Sequence, residues 1–71
     1  MAEEVKAQIT GVVFQVLAKP GDRVEAGDPI IVLESMKMEI PVEAPRAGIV
    51  KEVKVKEGDT VQEGDTLALI E

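Results

Sequence analysis

The apolar residues of this chain fall in short runs separated by turn residues, and they do not recur at helical spacing. Val53 and Val55 alternate with lysines, which is the two-residue period of a strand with one face in the core. No helical period of useful length appears along the chain, and Gly and Pro recur between the apolar runs. The pattern therefore predicts an all-β protein built from short strands and tight turns.

An internal repeat covers most of the chain. Residues 11–34 align without gaps on residues 48–71, with ten identities in 24 aligned positions. The identities include the two Gly-Asp turns of each half: Gly21/Gly58, Asp22/Asp59, Gly27/Gly64 and Asp28/Asp65. Glycine supplies the positive φ that such turns require, and aspartate hydrogen-bonds to nearby backbone. Each half is therefore predicted to run strand, turn, short strand, turn, strand.

One feature of the apolar pattern predicts an irregular strand in each half. Val13 is out of phase with Val16, and Val50 stands at the equivalent position of the second half. Both positions are nevertheless apolar. We therefore expect a bend or β-bulge shortly after Gly11 and Gly48.

Neither half can bury an apolar face alone, so the halves are expected to pack together around a pseudo-two-fold axis. This predicts a single domain over residues 1–71, with halves of about 7–34 and 44–71 joined by a hairpin at 34–39. The architecture would be two antiparallel sheets of roughly four strands each. Because Glu34 is the counterpart of Glu71, the hairpin is expected at the opposite pole from the chain ends.

The composition excludes several classes of chemistry. A chain of 71 residues is long enough for one domain, and it contains no cysteine and no histidine. Disulfides, thiolate chemistry, cysteine metal sites and every serine–histidine arrangement are therefore absent, and we expect no metal site. Ser35, the only serine, has no activating partner in this sequence. These features argue against an enzyme that acts alone.

The charge and the apolar runs bear on partners and location. A net charge of −6 disfavours nucleic acid, for which a basic face is expected. No apolar run approaches transmembrane length, and residues 1–4 lack the basic and apolar regions of a signal peptide. We therefore expect no membrane association and a cytoplasmic location.

The segment Glu34-Ser35-Met36-Lys37-Met38-Glu39 departs from the rest of the pattern. It joins the apolar runs 30–33 and 40–42, so a hairpin is expected there. Yet residues 33–40 contain no Gly, Asn, Asp or Pro, the residues that tight hairpins normally use. Methionine is usually a core residue and lysine usually a solvated surface charge, but neither role explains this placement at a turn. Local rules broken in this way often mark a functional site.

These residues resemble the Met-Lys-Met signature of biotinyl domains, the carrier modules of biotin-dependent carboxylases and decarboxylases. The resemblance implies that Lys37 carries covalent biotin and that the enzyme attaching it recognises the neighbours of that lysine. Those neighbours are Glu34, Ser35, Met36, Met38 and Glu39. It also implies the fold of biotinyl and lipoyl domains, a flattened β-barrel and sandwich hybrid.

The resemblance implies partners as well. A lysine amine is mostly protonated at neutral pH, and nothing in this sequence would activate it. A biotin protein ligase is therefore expected to activate biotin as an acyl adenylate and to supply the base that deprotonates Lys37. The carrier, a monomer when isolated, would then shuttle carboxyl groups between a biotin carboxylase and a carboxyltransferase. It would have no catalytic residue of its own.

The sequence departs from the family pattern in two places, and two alternative functions stay open. The chain runs from Phe14 to Gly21 without the inserted thumb of some bacterial carrier subunits, so it is more similar to thumbless biotinyl domains and to short biotin/lipoyl attachment proteins. Residues 7–11 also differ from the Ala-Pro-Met start common in the family. The first alternative is a lipoyl carrier, or a carrier of both groups, for 2-oxoacid dehydrogenase or glycine cleavage complexes, although Met replaces the Asp and Ala that usually flank the lipoyl lysine. An unmodified interaction module, as in membrane-fusion adaptor proteins, is the second.

Overall fold

A computed structural model describes residues 2–71, which form eight β-strands. Their bounds are β1 (Glu3–Lys6), β2 (Gly11–Val16), β3 (Arg23–Val24), β4 (Pro29–Ser35), β5 (Met38–Glu43), β6 (Gly48–Val53), β7 (Thr60–Val61) and β8 (Thr66–Ile70). No helix long and apolar enough to cross a membrane occurs in this described part of the chain.

The strands form two four-stranded sheets in which all neighbours are antiparallel. The orders are β1-β8-β6-β3 in one sheet and β5-β4-β2-β7 in the other. Each sheet takes two strands from β1–β4 and two from β5–β8, so the halves of the chain are interleaved. This arrangement confirms the predicted pair of four-stranded antiparallel sheets.

Equivalent hydrogen bonds relate the two halves. The Val13 N–H donates to the Asp59 carbonyl at 2.8 Å, and the Val50 N–H donates to the Asp22 carbonyl at 2.8 Å. In both cases a turn of one half bonds to a strand of the other half. The sequence repeat is therefore a repeat in space, in which each half completes the other.

The Gly-Asp turns have the chemistry that the sequence predicts. Gly21 has a φ of 95° after Pro20, as in a type II turn. The Lys19 N–H donates to the Asp22 carboxylate at 3.0 Å, and the equivalent turn at residues 56–59 has the same bond at 3.0 Å. Each turn is thus closed by a side chain as well as by its backbone.

Both predicted bulges are present. The pairing of β2 with β4 shifts register around Phe14, and the pairing of β6 with β8 shifts around Lys51. The extra residue lets Val13 and Val50 point into the core despite their parity, and each is only 1% exposed.

The core between the sheets is aliphatic, and no charged or polar side chain is buried among residues 2–71. Its members are the buried valines, alanines and larger aliphatic residues of both halves: Val5, Ala7, Val13, Ala18, Val24, Ile30, Ile31, Leu33, Val42, Ala44, Val50, Val61, Leu67, Ala68 and Ile70. Phe14, the only aromatic residue, lies outside this core and is 46% exposed.

The structure adds β1, a strand that we did not predict. Its Val5 and the following Ala7 are both 3% exposed. They stand at the same sequence offset from Val42 and Ala44 as the other repeated pairs, so the equivalence of the halves extends back through β1 and β5. Val5 and Ala7 alternate with charged residues, as in a strand, but this pattern is only two apolar positions long.

Candidate functional site

The hairpin between β4 and β5 has the shortest common loop. The antiparallel pairing continues up to Ser35 and Met38, which leaves only Met36 and Lys37 outside it. Lower in the hairpin, Leu33 is fully buried opposite the half-buried Ile40. The turn is therefore held on two paired strands that begin in the core.

The backbone of this loop is strained. Met36 has a φ of 53° and Lys37 a φ of 63°, and they are the only non-glycine residues with positive φ in the described chain. Two such residues in a two-residue hairpin define a type I′ turn, which normally contains Asn-Gly. For a residue with a side chain, the left-handed conformation costs about 1–2 kcal/mol. The side chains of this turn thus reduce the stability of the hairpin they occupy.

The three side chains at the turn are all open to solvent. Met36 is 89% exposed, Met38 is 60% exposed, and Lys37 is exposed. Lys37 forms no ion pair with any described residue, whereas Lys51 pairs with Glu71 at 3.2 Å. An external enzyme can therefore reach the Lys37 amine without moving another part of the chain. An exposed primary amine of this kind fits a covalently attached acyl group, which needs no binding pocket.

Two carboxylates lie on the strands below the turn. Glu34 of β4 and Glu39 of β5 are direct cross-strand partners, and both are exposed. Like charges in that relation destabilise a hairpin. The acids therefore resemble Met36 and Lys37 in one respect, because none of these four residues stabilises the hairpin at its position.

Ser35 is the least exposed of the predicted site residues. It is half-buried, and it lies at the end of β4 beside Gly11 of β2. A Cβ atom on Gly11 would come within 2.6 Å of the Glu34 carbonyl oxygen and 3.4 Å of the Ser35 Cβ. Glycine at this position lets β2 pack directly against the base of the turn. The sequence pattern predicted only a bulge near Gly11, although the identity of Gly11 with Gly48 was also a signal of close packing.

The repeat reproduces this close approach at the other end of the chain. A Cβ atom on Gly48 would come within 2.7 Å of the Glu71 carbonyl oxygen. The end of β4 is thus the structural counterpart of the end of β8, as the alignment of Glu34 with Glu71 predicted. In the first half the chain continues into the lysine turn.

Nearly the whole chain matches one protein family. The sequence model of the biotin–lipoyl family, described as "Biotin-requiring enzyme", matches residues 1–70. This match covers all eight strands and the turn that carries Lys37.

Several short proteins are similar in sequence. Biotinylated protein TB7.3 of Mycobacterium tuberculosis is 52% identical over 44 residues, which are 62% of this chain and 62% of that protein. The biotin/lipoyl attachment protein of Bacillus subtilis is 57% identical over 42 residues, 59% of this chain and 58% of that protein. The matched stretch therefore spans less than two-thirds of these relatives.

Solved structures of large carboxylases contain the same fold. The urea carboxylase of Kluyveromyces lactis matches 99% of this chain with a TM-score of 0.94 and 41% identity, over 6% of its own length. A single-chain, multi-domain long-chain acyl-CoA carboxylase matches 96% with a TM-score of 0.90 and 37% identity, over 7% of its length. On the family match and these structures, the chain belongs to the biotin–lipoyl family of biotin-requiring enzymes.

Proposed function

We propose that this chain is a biotin carboxyl carrier, in which the Lys37 side chain holds biotin through an amide bond. The observation that carries the proposal is the exposed lysine on a strained type I′ turn, between two exposed methionines. Two relatives support the proposal. They are the biotinylated protein of M. tuberculosis and the tomato biotin carboxyl carrier protein of acetyl-CoA carboxylase, which is 49% identical over 41 residues.

Attachment requires an external catalyst. The Lys37 amine must lose a proton before it attacks the acyl carbon of adenylated biotin, and the amide then forms as AMP leaves. The chain contains no histidine, and no described residue bonds to the amine. A biotin protein ligase therefore supplies the base. The reaction removes one positive charge from a chain of net charge −6.

The role of the protein after attachment is mechanical. Bound biotin supplies a nitrogen that accepts a carboxyl group from one enzyme and gives it up to another. The partners in this proposal are a biotin carboxylase and a carboxyltransferase, and the carrier itself is not catalytic. By holding the attachment point on a short, well-anchored hairpin, the chain raises the effective concentration of the reactant at both sites.

The remaining assignments belong to the same proposal. Glu34, Ser35, Met36, Met38 and Glu39 form the surface that the ligase recognises. Residues 1–71 act as one domain, a cytoplasmic monomer when isolated, with the lysine turn presented away from both chain ends. The equivalent contacts of Gly11 with Glu34 and of Gly48 with Glu71 support that placement.

Lipoylation is the second candidate. The observation that favours it is the identity of 57% with a protein named as an attachment protein for both biotin and lipoyl groups. Parallel incubation of the unmodified protein with a biotin ligase and with a lipoyl ligase separates the two. We expect faster transfer of biotin, and faster transfer of lipoate would reverse the assignment.

Mass spectrometry of the intact protein tests the main proposal. After co-expression with a biotin protein ligase, the wild-type mass should rise by one biotinyl group. Lys37→Ala should stay at its unmodified mass, and Lys56→Ala, a matched loss of an exposed lysine, should be modified like the wild type. An unshifted wild type, or a shift that survives Lys37→Ala, would contradict the proposal.

A further inference from the structure

The two halves of the fold differ at exposed positions in and just after the bulged strands β2 and β6. In the second half, the ammonium of Lys51 pairs with the Glu71 carboxylate at 3.2 Å. The counterparts of these residues in the first half are Phe14 and Glu34. Both Lys51 and Phe14 are the extra residue of a β-bulge, so they have the same place in the sheet. The first half therefore has the same acid as the second half, but an aromatic ring at the position of the lysine.

The same replacement recurs nearby. Lys54 is close to Glu52, at 3.6 Å, in the second half, and its counterpart in the first half is Leu17. Phe14 and Leu17 are each 46% exposed. Val12, the cross-strand neighbour of Glu34, is 40% exposed. At positions 14 and 17 the first half therefore exposes apolar side chains where the second half exposes lysines, whereas position 12 is apolar in both halves, since Ile49, the counterpart of Val12, is 43% exposed.

Because Phe14 stands where the second half has a lysine, Glu34 also lacks a cation partner. Among residues 2–71 the Glu34 carboxylate has no ion-pair partner, and its cross-strand neighbour Glu39 is another acid. An exposed aromatic ring two residues along β2 from Val12, the cross-strand partner of Glu34, forms with that unpaired carboxylate a surface complementary to an apolar pocket with a lysine or arginine at its edge. Nothing in the fold requires this combination, because the second half folds with the ion pair.

We propose that Phe14, Leu17, Val12 and Glu34, here called the Phe14 surface, form a docking surface for the enzyme that acylates Lys37. The inference rests on the proposed function. Glu34 lies one cross-strand pair below Ser35 and Met38, which close the lysine turn, so an enzyme bound here holds Lys37 at its active site. The ring of Phe14 supplies the apolar contact, and Glu34 pairs with a basic side chain of the enzyme. The counterpart surface around Lys51 does not contact that enzyme.

The repeat provides a matched pair of variants. Phe14→Lys copies the second half and allows an ion pair with Glu34, whereas Lys51→Phe makes the reverse change on the other sheet. Steady-state biotinylation by a biotin protein ligase should show a KM about tenfold higher for Phe14→Lys with kcat little changed. Lys51→Phe should stay within about twofold of the wild type. Phe14→Ala, which removes the ring without adding a charge, should also raise KM.

Thermal unfolding of each variant shows whether a change in KM comes from lost docking or from lost stability. Phe14→Lys should unfold at a temperature no lower than that of the wild type. Wild-type values of KM for both Phe14 variants, or an equal loss for Lys51→Phe, would overturn the Phe14 surface. In either case a biotinylated wild type would leave the proposed function intact. A wild type that the ligase does not acylate would instead refute the proposed function itself.

Discussion

Glu34 and Glu39 face each other across the β4–β5 hairpin, one residue pair below Ser35 and Met38, which close the lysine turn. Two acids in direct cross-strand register repel each other, and neither has a cation among the described residues to offset that repulsion. The same hairpin has side chains at both left-handed positions of its turn. The region around Lys37 thus contains two independent departures from what folding favours.

The repulsion between these acids should be measurable as stability. We expect Glu39→Gln to raise the free energy of unfolding by about 0.2–1 kcal/mol, since it removes one of two opposed charges. Glu43→Gln is the control, because Glu43 is an exposed acid on the same strand opposite Pro29. Urea denaturation should show a larger gain for Glu39→Gln. Equal gains would mean that net charge, and not the facing pair, is responsible.

The backbone of the turn gives a second prediction. Met36→Gly should stabilise the protein by up to about 1 kcal/mol, because glycine adopts the left-handed conformation without steric cost. Met38→Gly should destabilise it, since Met38 lies in a strand, where glycine loses conformational entropy. Denaturant titration of both variants checks the contrast. A loss of stability in Met36→Gly as large as that in Met38→Gly would contradict the strain assigned to the turn.

The close packing beneath the turn gives a third. Gly11→Ala places a methyl group within 2.6 Å of the Glu34 carbonyl oxygen, so β2 or β4 must shift. We expect a loss of about 1–3 kcal/mol in the free energy of unfolding. Gln15→Ala, an exposed change on the same strand, should stay within about 0.5 kcal/mol of the wild type. Similar thermal stabilities for the two variants would show that the approach of β2 to β4 is not tight.

The Gly-Asp turns give a fourth. Gly27 has a φ of 91° and open space around its Cα, so the cost of Gly27→Val comes from the backbone and not from a clash. A β-branched residue is a strong outlier at such φ, and we expect a loss of about 1–3 kcal/mol. Ala26→Val, at the neighbouring exposed position, should cost much less. Once corrected for the folded fraction, the rate of biotinylation of Gly27→Val should equal that of the wild type, and a lower corrected rate would place this turn in the recognition surface.

Much of the fold was predictable because the repeat acts as an internal alignment. Val13 and Val50 share the same unusual parity, and that agreement predicted both bulges. The short strand β1 escaped prediction, since Val5 and Ala7 make a pattern too brief to distinguish from an irregular terminus. Its register depends on pairing with β8, a contact between residues far apart in the sequence.

The sequence marked the segment around Lys37 as unusual, but it did not specify the conformation of that segment. The lack of turn-forming residues around Lys37 indicated an unusual loop, yet no local signal specified a type I′ turn, because Met-Lys has no preference for it. The sequence pattern also gave no sign that Phe14 stands where the second half has an ion-paired lysine. It becomes visible only when the two bulges are seen to place Phe14 and Lys51 at equivalent points.

The proposed function requires that one lysine of this chain, Lys37, is presented for modification. Tandem mass spectrometry after treatment with biotin protein ligase tests it most directly, since it assigns the added mass to a residue. We predict biotin on Lys37 alone, with the other lysines unmodified: Lys6, Lys19, Lys51, Lys54 and Lys56. Biotin on any of those lysines in place of Lys37, or on none, would contradict the account.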